Sequence, residues 1–185
     1  YLSSYITPEK FRVNKVRAEF LVPCSPEQFG KFMNDMSEQW KVDDGTMEKW
    51  ESKAIINEGS EQVFTVLYLA YKKQMIASAR DMVYIKTYKM IDEETYADAS
   101  VSVEHPDLPP REGYVRCEFK AGGHLAKLVS GKEDGKYVSI VKLYSESDFK
   151  VNVPLFMAKS FTMTSLKAFI ERCVKSIKVL YPQAE

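Results

Sequence analysis

The chain has 185 residues, 45% hydrophobic and 28% charged, and its 26 Lys+Arg balance 26 Asp+Glu. That composition suits one globular domain, residues 1–185, with a single sizeable core, and it excludes a disordered chain. A formal net charge of zero removes the electrostatic ground for nucleic-acid binding and for a purely electrostatic membrane anchor.

The first periodic segment is residues 15–22, where Val16, Ala18, Phe20 and Val22 alternate onto one face, the period of a strand. Ser25-Pro26-Glu27-Gln28 then opens a helix: Ser25 caps it, Pro26 suits its first turn, and Gln28 completes a capping box. Phe29, Phe32, Met33 and Met36 follow as one buried stripe, and Asp43-Asp44-Gly45 marks a turn. From Trp50 the pattern is that of strands. Asn57-Glu58-Gly59-Ser60 joins a hairpin between 53–56 and 63–70, and further strand-like runs occupy 82–91, 96–103, 114–121, 124–129 and 137–144. Gly122-Gly123 separates two of these and makes His124 a bulge residue; Pro106, Pro109 and Pro110 break the chain before Tyr114. Consecutive strands of this kind predict an antiparallel meander.

After Pro154 the period changes to that of a helix. Leu166, Ile170, Cys173, Ile177 and Leu180 form its stripe, and Pro182 ends it. A helix of some 25 residues is about 40 Å long, enough to cover a whole sheet. The fold class is therefore α+β, with helices on one side of a curved antiparallel sheet. The longest strongly apolar run, residues 63–71, is too short for the roughly 20 residues that a membrane helix needs, and no secretory signal is visible. Starting at Tyr1 rather than Met predicts a piece of a longer protein. Cys24, Cys117 and Cys173 are odd in number and widely spaced, which predicts core thiols in a reducing compartment and no metal site.

Several strands are apolar on both faces. Residues 63–70 carry Val63, Thr65, Leu67 and Leu69 on one face and Phe64, Val66, Tyr68 and Ala70 on the other. In 82–91, Met82, Tyr84, Lys86 and Tyr88 share a face. A sheet with one wet face would alternate more cleanly. The pattern leaves two readings open, a core on both sides or a ligand cavity on one.

Ala79-Arg80-Asp81-Met82-Val83 resembles a strand opening of the START (StAR-related lipid-transfer) family, of the Bet v 1-like superfamily. Ser102-Val103-Glu104-His105-Pro106, Pro109-Pro110 and Gly113-Tyr114-Val115-Arg116 resemble that family's S-V-x-H-P…P-P…G-Y-V-R run, and Val153-Pro154 its junction with the last helix. The matches occur in order and cover nearly the whole chain, apart from the family's N-terminal helix. The resemblance implies a helix-grip fold enclosing a hydrophobic cavity. It also implies an intracellular, cytoplasmic monomer, transiently peripheral at membranes, that needs no cofactor. Its activity would be to extract one sterol, phospholipid, sphingolipid or fatty-acid-like molecule from a membrane and transfer it. A lipid-sensing regulatory domain of a larger protein is the alternative. An enzyme would need an inward acid with a paired base; Asp98 and Glu118 have inward parity and no evident partner.

The implied ligand contacts are Thr65, Leu67, Leu69, Met82, Tyr84, Lys86, Ser100, Arg116 and Leu143 on strands, with Met157 and Phe161 on the long helix. In sterol-binding members the position of Lys86 is an arginine paired with an acid, and that acid falls here at Leu67. Lys86 must then be neutral, find another acid or meet the ligand. The aromatic cage of phosphatidylcholine-binding members falls at Leu69, Met82 and Lys120. An apolar or anionic ligand suits Lys86 and Arg116 better than a cationic one. Arg116 reads as pairing within the sheet, with Glu118 or a neighbouring strand, or else as meeting a phosphate or hydroxyl; Arg80-Asp81 reads as a structural ion pair, and His105 reads as a structural hydrogen-bonding residue. Met75 and Ile76 in one loop, and Phe149 and Val151 in another, lie beside lysines, a composition for shallow contact with a membrane surface.

Overall fold

In the computed structural model, residues 2–6, 13–35, 47–56, 63–73, 78–131, 136–150 and 154–182 are described. Among these residues nine strands form one sheet: β1 Leu2–Ile6, β2 Val13–Val22, β3 Met47–Ile56, β4 Val63–Tyr71, β5 Arg80–Asp92, β6 Thr95–Ser102, β7 Val115–Arg116, β8 Glu118–Ser130 and β9 Val138–Asp148. Helix α1 is Pro26–Asn34 and helix α2 is Leu155–Leu180. The sheet order is β1-β2-β9-β8-β6-β5-β4-β3, so the expected meander runs from β3 to β9 and then closes back onto β2.

Two expectations change. Residues 114–121 and 124–129 are not two strands. Val115–Arg116 is a short strand parallel to β5, and β8 runs unbroken through Gly122-Gly123. His124 sits in regular register opposite Asp98 and Leu143, and the irregularities lie between Phe119 and Ala121 and between Leu128 and Ser130 instead. The glycine has a different reason. A Cβ on Gly123 would fall 2.1 Å from the Asp98 carbonyl oxygen, so the close approach of β8 to β6 requires its absence.

Helix α1 begins as its sequence dictates. The Gln28 amide donates to Ser25 Oγ at 3.2 Å, and the Ser25 amide donates to Gln28 Oε1 at 2.9 Å. Phe29, Phe32 and Met33 are buried; Met36 lies outside the described residues. In α2 the stripe at Leu166, Cys173 and Ile177 is buried, with Ile170 and Leu180 packed at its edge. This stripe meets Val16 and Ala18 at one end and Val22, Phe29, Phe32 and Val141 at the other. Both helices therefore lie on one face of the sheet, here called the inner face. Among the described residues none of α2 joins the second inner cluster, where Leu69, Met82 and Cys117 pack with Trp50, Tyr84, Phe119 and Phe149.

The outer face has its own cover. After β6 the chain loops out and returns beside the start of β5, where the Val115 amide donates to the Ala79 carbonyl at 2.9 Å. Val103, Leu108 and Tyr114 from this segment pack on Val66, Tyr68 and Val83. Within it the Asp107 amide donates to His105 Nδ1 at 3.3 Å, a local structural bond of the kind expected of that histidine. All three cysteines are free and buried, and burial pushes their thiols up, to about 12 for Cys24 and Cys173 and about 11 for Cys117.

Candidate functional site on the inner face

Directly opposed residues of an antiparallel pair project to the same side of a sheet. The register sets Thr65 opposite Lys86, Leu67 opposite Tyr84 and Leu69 opposite Met82. It continues from Lys86 to Ser100 and on to Gly122, and from Tyr88 to Asp98, His124 and Leu143. The expected contacts Thr65, Leu67, Leu69, Met82, Tyr84, Lys86, Ser100 and Leu143 thus share one continuous inner surface. Apolar side chains dominate it toward β4, and polar ones cluster where β5, β6 and β8 meet.

Lys86 has found an acid. Its ammonium is 3.8 Å from Asp98 Oδ2 and donates to the Met33 carbonyl of α1 at 2.8 Å. Asp98 is the centre of the cluster. It accepts from the Tyr96 hydroxyl at 3.0 Å and from the His124 amide at 3.1 Å. His124 Nδ1 lies 3.1 Å from both of its carboxylate oxygens. Asn34 Nδ2 donates to the Tyr96 hydroxyl at 2.9 Å and so ties the cluster to α1. Burial alone would raise the Asp98 pKa. The charge and hydrogen bond of His124, then the Lys86 charge and the Tyr96 bond, overcome burial and hold it at about 2. Burial lowers the pKa of Lys86, and the Asp98 charge opposes that.

Two polar atoms on this face are buried without a hydrogen-bond partner among the described residues, His124 Nε2 and Trp50 Nε1. Trp50 lies opposite Leu69 and packs in the Leu69–Met82 cluster. The His124 ring stands edge-on to Phe29, with centroids 5.8 Å apart, and tilted against Phe169 at 6.5 Å. An open cleft of about 550 Å³ runs over Gly122-Gly123; Ala18, Asp98, His124 and Leu143 line it together with Arg17, Glu19, Lys142 and Tyr144, whose strand parity is that of the outer face.

Other expected site residues lie elsewhere. Arg116 points to the outer face, where its Nε and Nη2 each donate to Asp81 at 2.9 Å. Its remaining donors go to the Leu108 and Pro109 carbonyls, at 3.2 and 3.0 Å. Asp81 therefore belongs to Arg116 and not to Arg80, whose Nε donates to the Phe149 carbonyl at 3.0 Å; Glu118 pairs with Lys150 at 3.4 Å. Met157 and Phe161 are exposed, because the buried stripe of α2 takes Thr162 and Leu166 instead. Phe149, expected at a membrane-contact loop, packs into the Leu69–Met82 cluster. Met75, Ile76 and Val151 lie outside the described residues.

Sequence reasoning places Asp98 inward but without a partner, which the structure corrects, and it misses Tyr96 and His124 as site residues. Parity along β6 is the available signal, since Asp98 is two residues from both Tyr96 and Ser100. Its base, His124, comes from β8, and only the pairing of β6 with β8 joins them.

A family model described as START domain matches residues 1–180. StAR-related lipid transfer protein 5 of Mus musculus is 22% identical over 180 residues, which is 95% of this chain and 80% of that protein. Among solved structures, human STARD10 superposes with a TM-score of 0.78 at 16% identity, covering 98% of this chain and 74% of that one. Human StAR-related lipid transfer protein 5 does so with a TM-score of 0.73 at 20% identity, over 96% and 88%. These likenesses show the helix-grip arrangement of a curved sheet and a long final helix.

Proposed function

This chain belongs to the START domain family, and on that premise we propose that it binds one lipid against the inner face of its sheet and transfers it between membranes. The relative named above as a lipid transfer protein supports this reading. The observation that carries it is the composition of the inner face: rows of apolar side chains on β4 and β5 beside one buried polar cluster, with two buried polar atoms left without partners among the described residues. A folded core rarely leaves such groups unsatisfied, whereas a binding site needs a few convergent polar atoms in apolar walls. Each 100 Å² of lipid surface moved out of water is worth about 2.5 kcal/mol, so an apolar face offsets the cost of lifting a lipid from a bilayer.

The reading is binding and not catalysis. The Asp98 carboxylate is saturated by His124, Tyr96 and Lys86, and the buried thiols are pushed too high to act as thiolates at neutral pH. No helix among the described residues is long and apolar enough to cross a membrane. The test is organic extraction of the purified protein with mass spectrometry of the extract, followed by transfer of that lipid between vesicles. One lipid class at near-stoichiometric amounts, moved faster with protein than without, is the expected result. A protein that is consistently empty and indifferent to vesicles overturns the reading, and one that binds but does not transfer makes it a lipid sensor.

A further inference from the structure

We propose that the cleft over Gly122-Gly123 opens on the outer face of the sheet and docks an acidic amphipathic helix of a partner protein. The inference does not rest on the lipid-binding reading, which concerns the other face.

What lines the cleft fixes its side. From the inner side α2 packs on Ala18 through Leu166, with Leu143 and Ile170 in the same cluster, and sets Phe169 against the His124 ring. A cleft on that side would have Phe169 and Ile170 as a wall. No described residue of either helix lines it. Its outward-pointing lining is Arg17 and Glu19 on β2, Leu125 on β8, and Lys142 and Tyr144 on β9. Gly122-Gly123 form the floor, where no side chain fills the surface of the sheet.

The cleft continues into an apolar strip. The outward positions of β6 are Ala97, Ala99 and Val101, and Ala97 and Ala99 lie opposite Leu125 and Gly123. Val101 and Leu125 are exposed, as is Leu21 on β2. The wet face of an antiparallel sheet ordinarily carries polar residues at such positions. The 103–114 segment packs on outward residues of β4 and β5, and the strip lies beyond it.

A helix fits this surface and a strand does not. The strip is a face and not an edge, so the backbone beneath it is already paired from strand to strand. An extended peptide laid on it would gain no ladder bonds, whereas a helix satisfies its own backbone and offers an apolar stripe. From Ala121 to Lys127 β8 runs about 20 Å, the length of about 13 helical residues. Charge complementarity makes the helix acidic. Over that span β2, β8 and β9 point Lys15, Arg17, Lys127 and Lys142 outward against Glu19 and Glu146. Both acids are already matched, Glu146 by Lys15 at 3.3 Å and Glu19 by Lys142 at 3.8 Å. Lys89, across Ala97 on β5, places a further cation on the strip's other side, and the Asp92 carboxylate at the end of that hairpin accepts from the Glu94 amide. A second copy of this chain offers no acidic helix among the described residues, since the exposed positions of α2 include Lys159, Lys167, Lys175 and Lys178 against Glu171. A membrane surface is met by protruding apolar side chains, and a recess floored by glycine stays out of its reach.

The test titrates the full chain with two peptides of about 14 residues, each carrying leucines at i, i+3, i+4 and i+7 on an alanine background. One has glutamates on both flanks of the stripe, and the other has lysines at the same positions. Binding is read by fluorescence anisotropy and by backbone amide shifts. The glutamate peptide should bind at least about ten-fold tighter than the lysine peptide and shift the amides of Ala99, Gly123, Leu125 and Tyr144. Leu125→Glu, which sets a charge beneath the apolar stripe, should weaken it about ten-fold, and so should Lys127→Glu combined with Lys142→Glu. No binding of the glutamate peptide, equal binding of the two, or amide shifts confined to inner rows such as Leu67 and Tyr84 overturns the proposal. Outer-face shifts produced by phosphatidylcholine–phosphatidylserine vesicles and not by the peptide also overturn it and give the face to a membrane. Self-association abolished by Leu125→Glu overturns it in favour of a second copy. The comparison of the two peptides needs only the wild type, so it decides even where a variant fails to fold.

Discussion

Asp81 and Asp98 are two buried carboxylates on opposite faces of one sheet, and they are satisfied in different ways. Asp81 is fully buried, with Arg116 bonded to both oxygens and the Tyr68 hydroxyl donating at 3.3 Å. Arg116 in turn holds the Leu108 and Pro109 carbonyls, so the network closes on itself and pins the 103–114 segment to the outer face. Asp98 is surrounded just as fully, but the network does not close: its histidine partner ends in Nε2, which has no partner among the described residues. A closed network stabilises a fold. An open one has a position to fill, which is why the inner cluster reads as a site and the outer one as a clamp.

The sharpest way to break this comparison is Arg116→Met. It leaves the Asp81 charge buried without its bidentate partner, a change that costs about 3–5 kcal/mol. Because the Arg116 side chain is 21% exposed, the expected loss is near the low end, about 3 kcal/mol, read as a drop in the urea midpoint. Lipid selectivity of the folded fraction should stay as in wild type. A variant of unchanged stability, or one with altered selectivity, would put Arg116 in the wrong network.

Asp98→Asn is the inner counterpart, with a smaller effect. Asp98 titrates at about 2 in the folded protein against an ordinary value of 3.8. A carboxylate whose folded pKa is depressed contributes stability that is present above its unfolded pKa and disappears as pH falls through the folded one. The contribution is about 2 kcal/mol above pH ~4 and vanishes near pH ~2. Subtracting the variant's stability-against-pH curve from that of the wild type removes the background of the other carboxylates. The difference should be full at pH ~5–7 and close toward pH ~2. A difference independent of pH would show that the Asp98 charge is not what His124 and Lys86 recognise.

The two acids also show what sequence can and cannot reveal. Both lie at positions whose facing follows from counting by twos along β5 and β6; the same count along β4 and β5 makes the shared rows at Leu67, Leu69, Met82 and Tyr84 legible, and the family resemblance supplies which face is the inner one. The capping box, the stripe of α2 and the proline-rich segment are legible for the same reason: each is a pattern within a few turns or residues. The partners are not. Arg116 reaches Asp81 because β7 pairs in parallel with the start of β5, a non-local contact that no hairpin rule predicts. His124 reaches Asp98 because Gly122-Gly123 lets β8 run straight and close beside β6, where a glycine pair in sequence suggests a break. The resemblance implies Met157 and Phe161 as inward contacts, whereas the rotation of α2 about its axis, set by Leu166 and Cys173, leaves them outside.

The smallest effect tests whether a local feature legible in sequence supports the distant site. Ser25 caps α1, and replacing such a cap by alanine costs about 1 kcal/mol. Helix α1 presents the Met33 carbonyl to Lys86 and Asn34 to Tyr96, so its last turn holds two members of the inner cluster. Fraying at the first turn propagates weakly along a helix of nine residues whose Phe29 and Phe32 remain buried. Ser25→Ala should therefore lower stability by about 1 kcal/mol in urea unfolding and weaken binding of the extracted lipid by no more than about two-fold, the effect expected when a cap supports a scaffold and contacts no ligand. Gln28→Ala, which removes the reciprocal bond of the box, should behave alike and add less than its own effect when combined with Ser25→Ala, since the two bonds form one device. Full additivity of the pair would mean that the box does not act as a unit. A large loss of binding from either change would place α1 itself, and not the His124 corner of the sheet, at the centre of recognition.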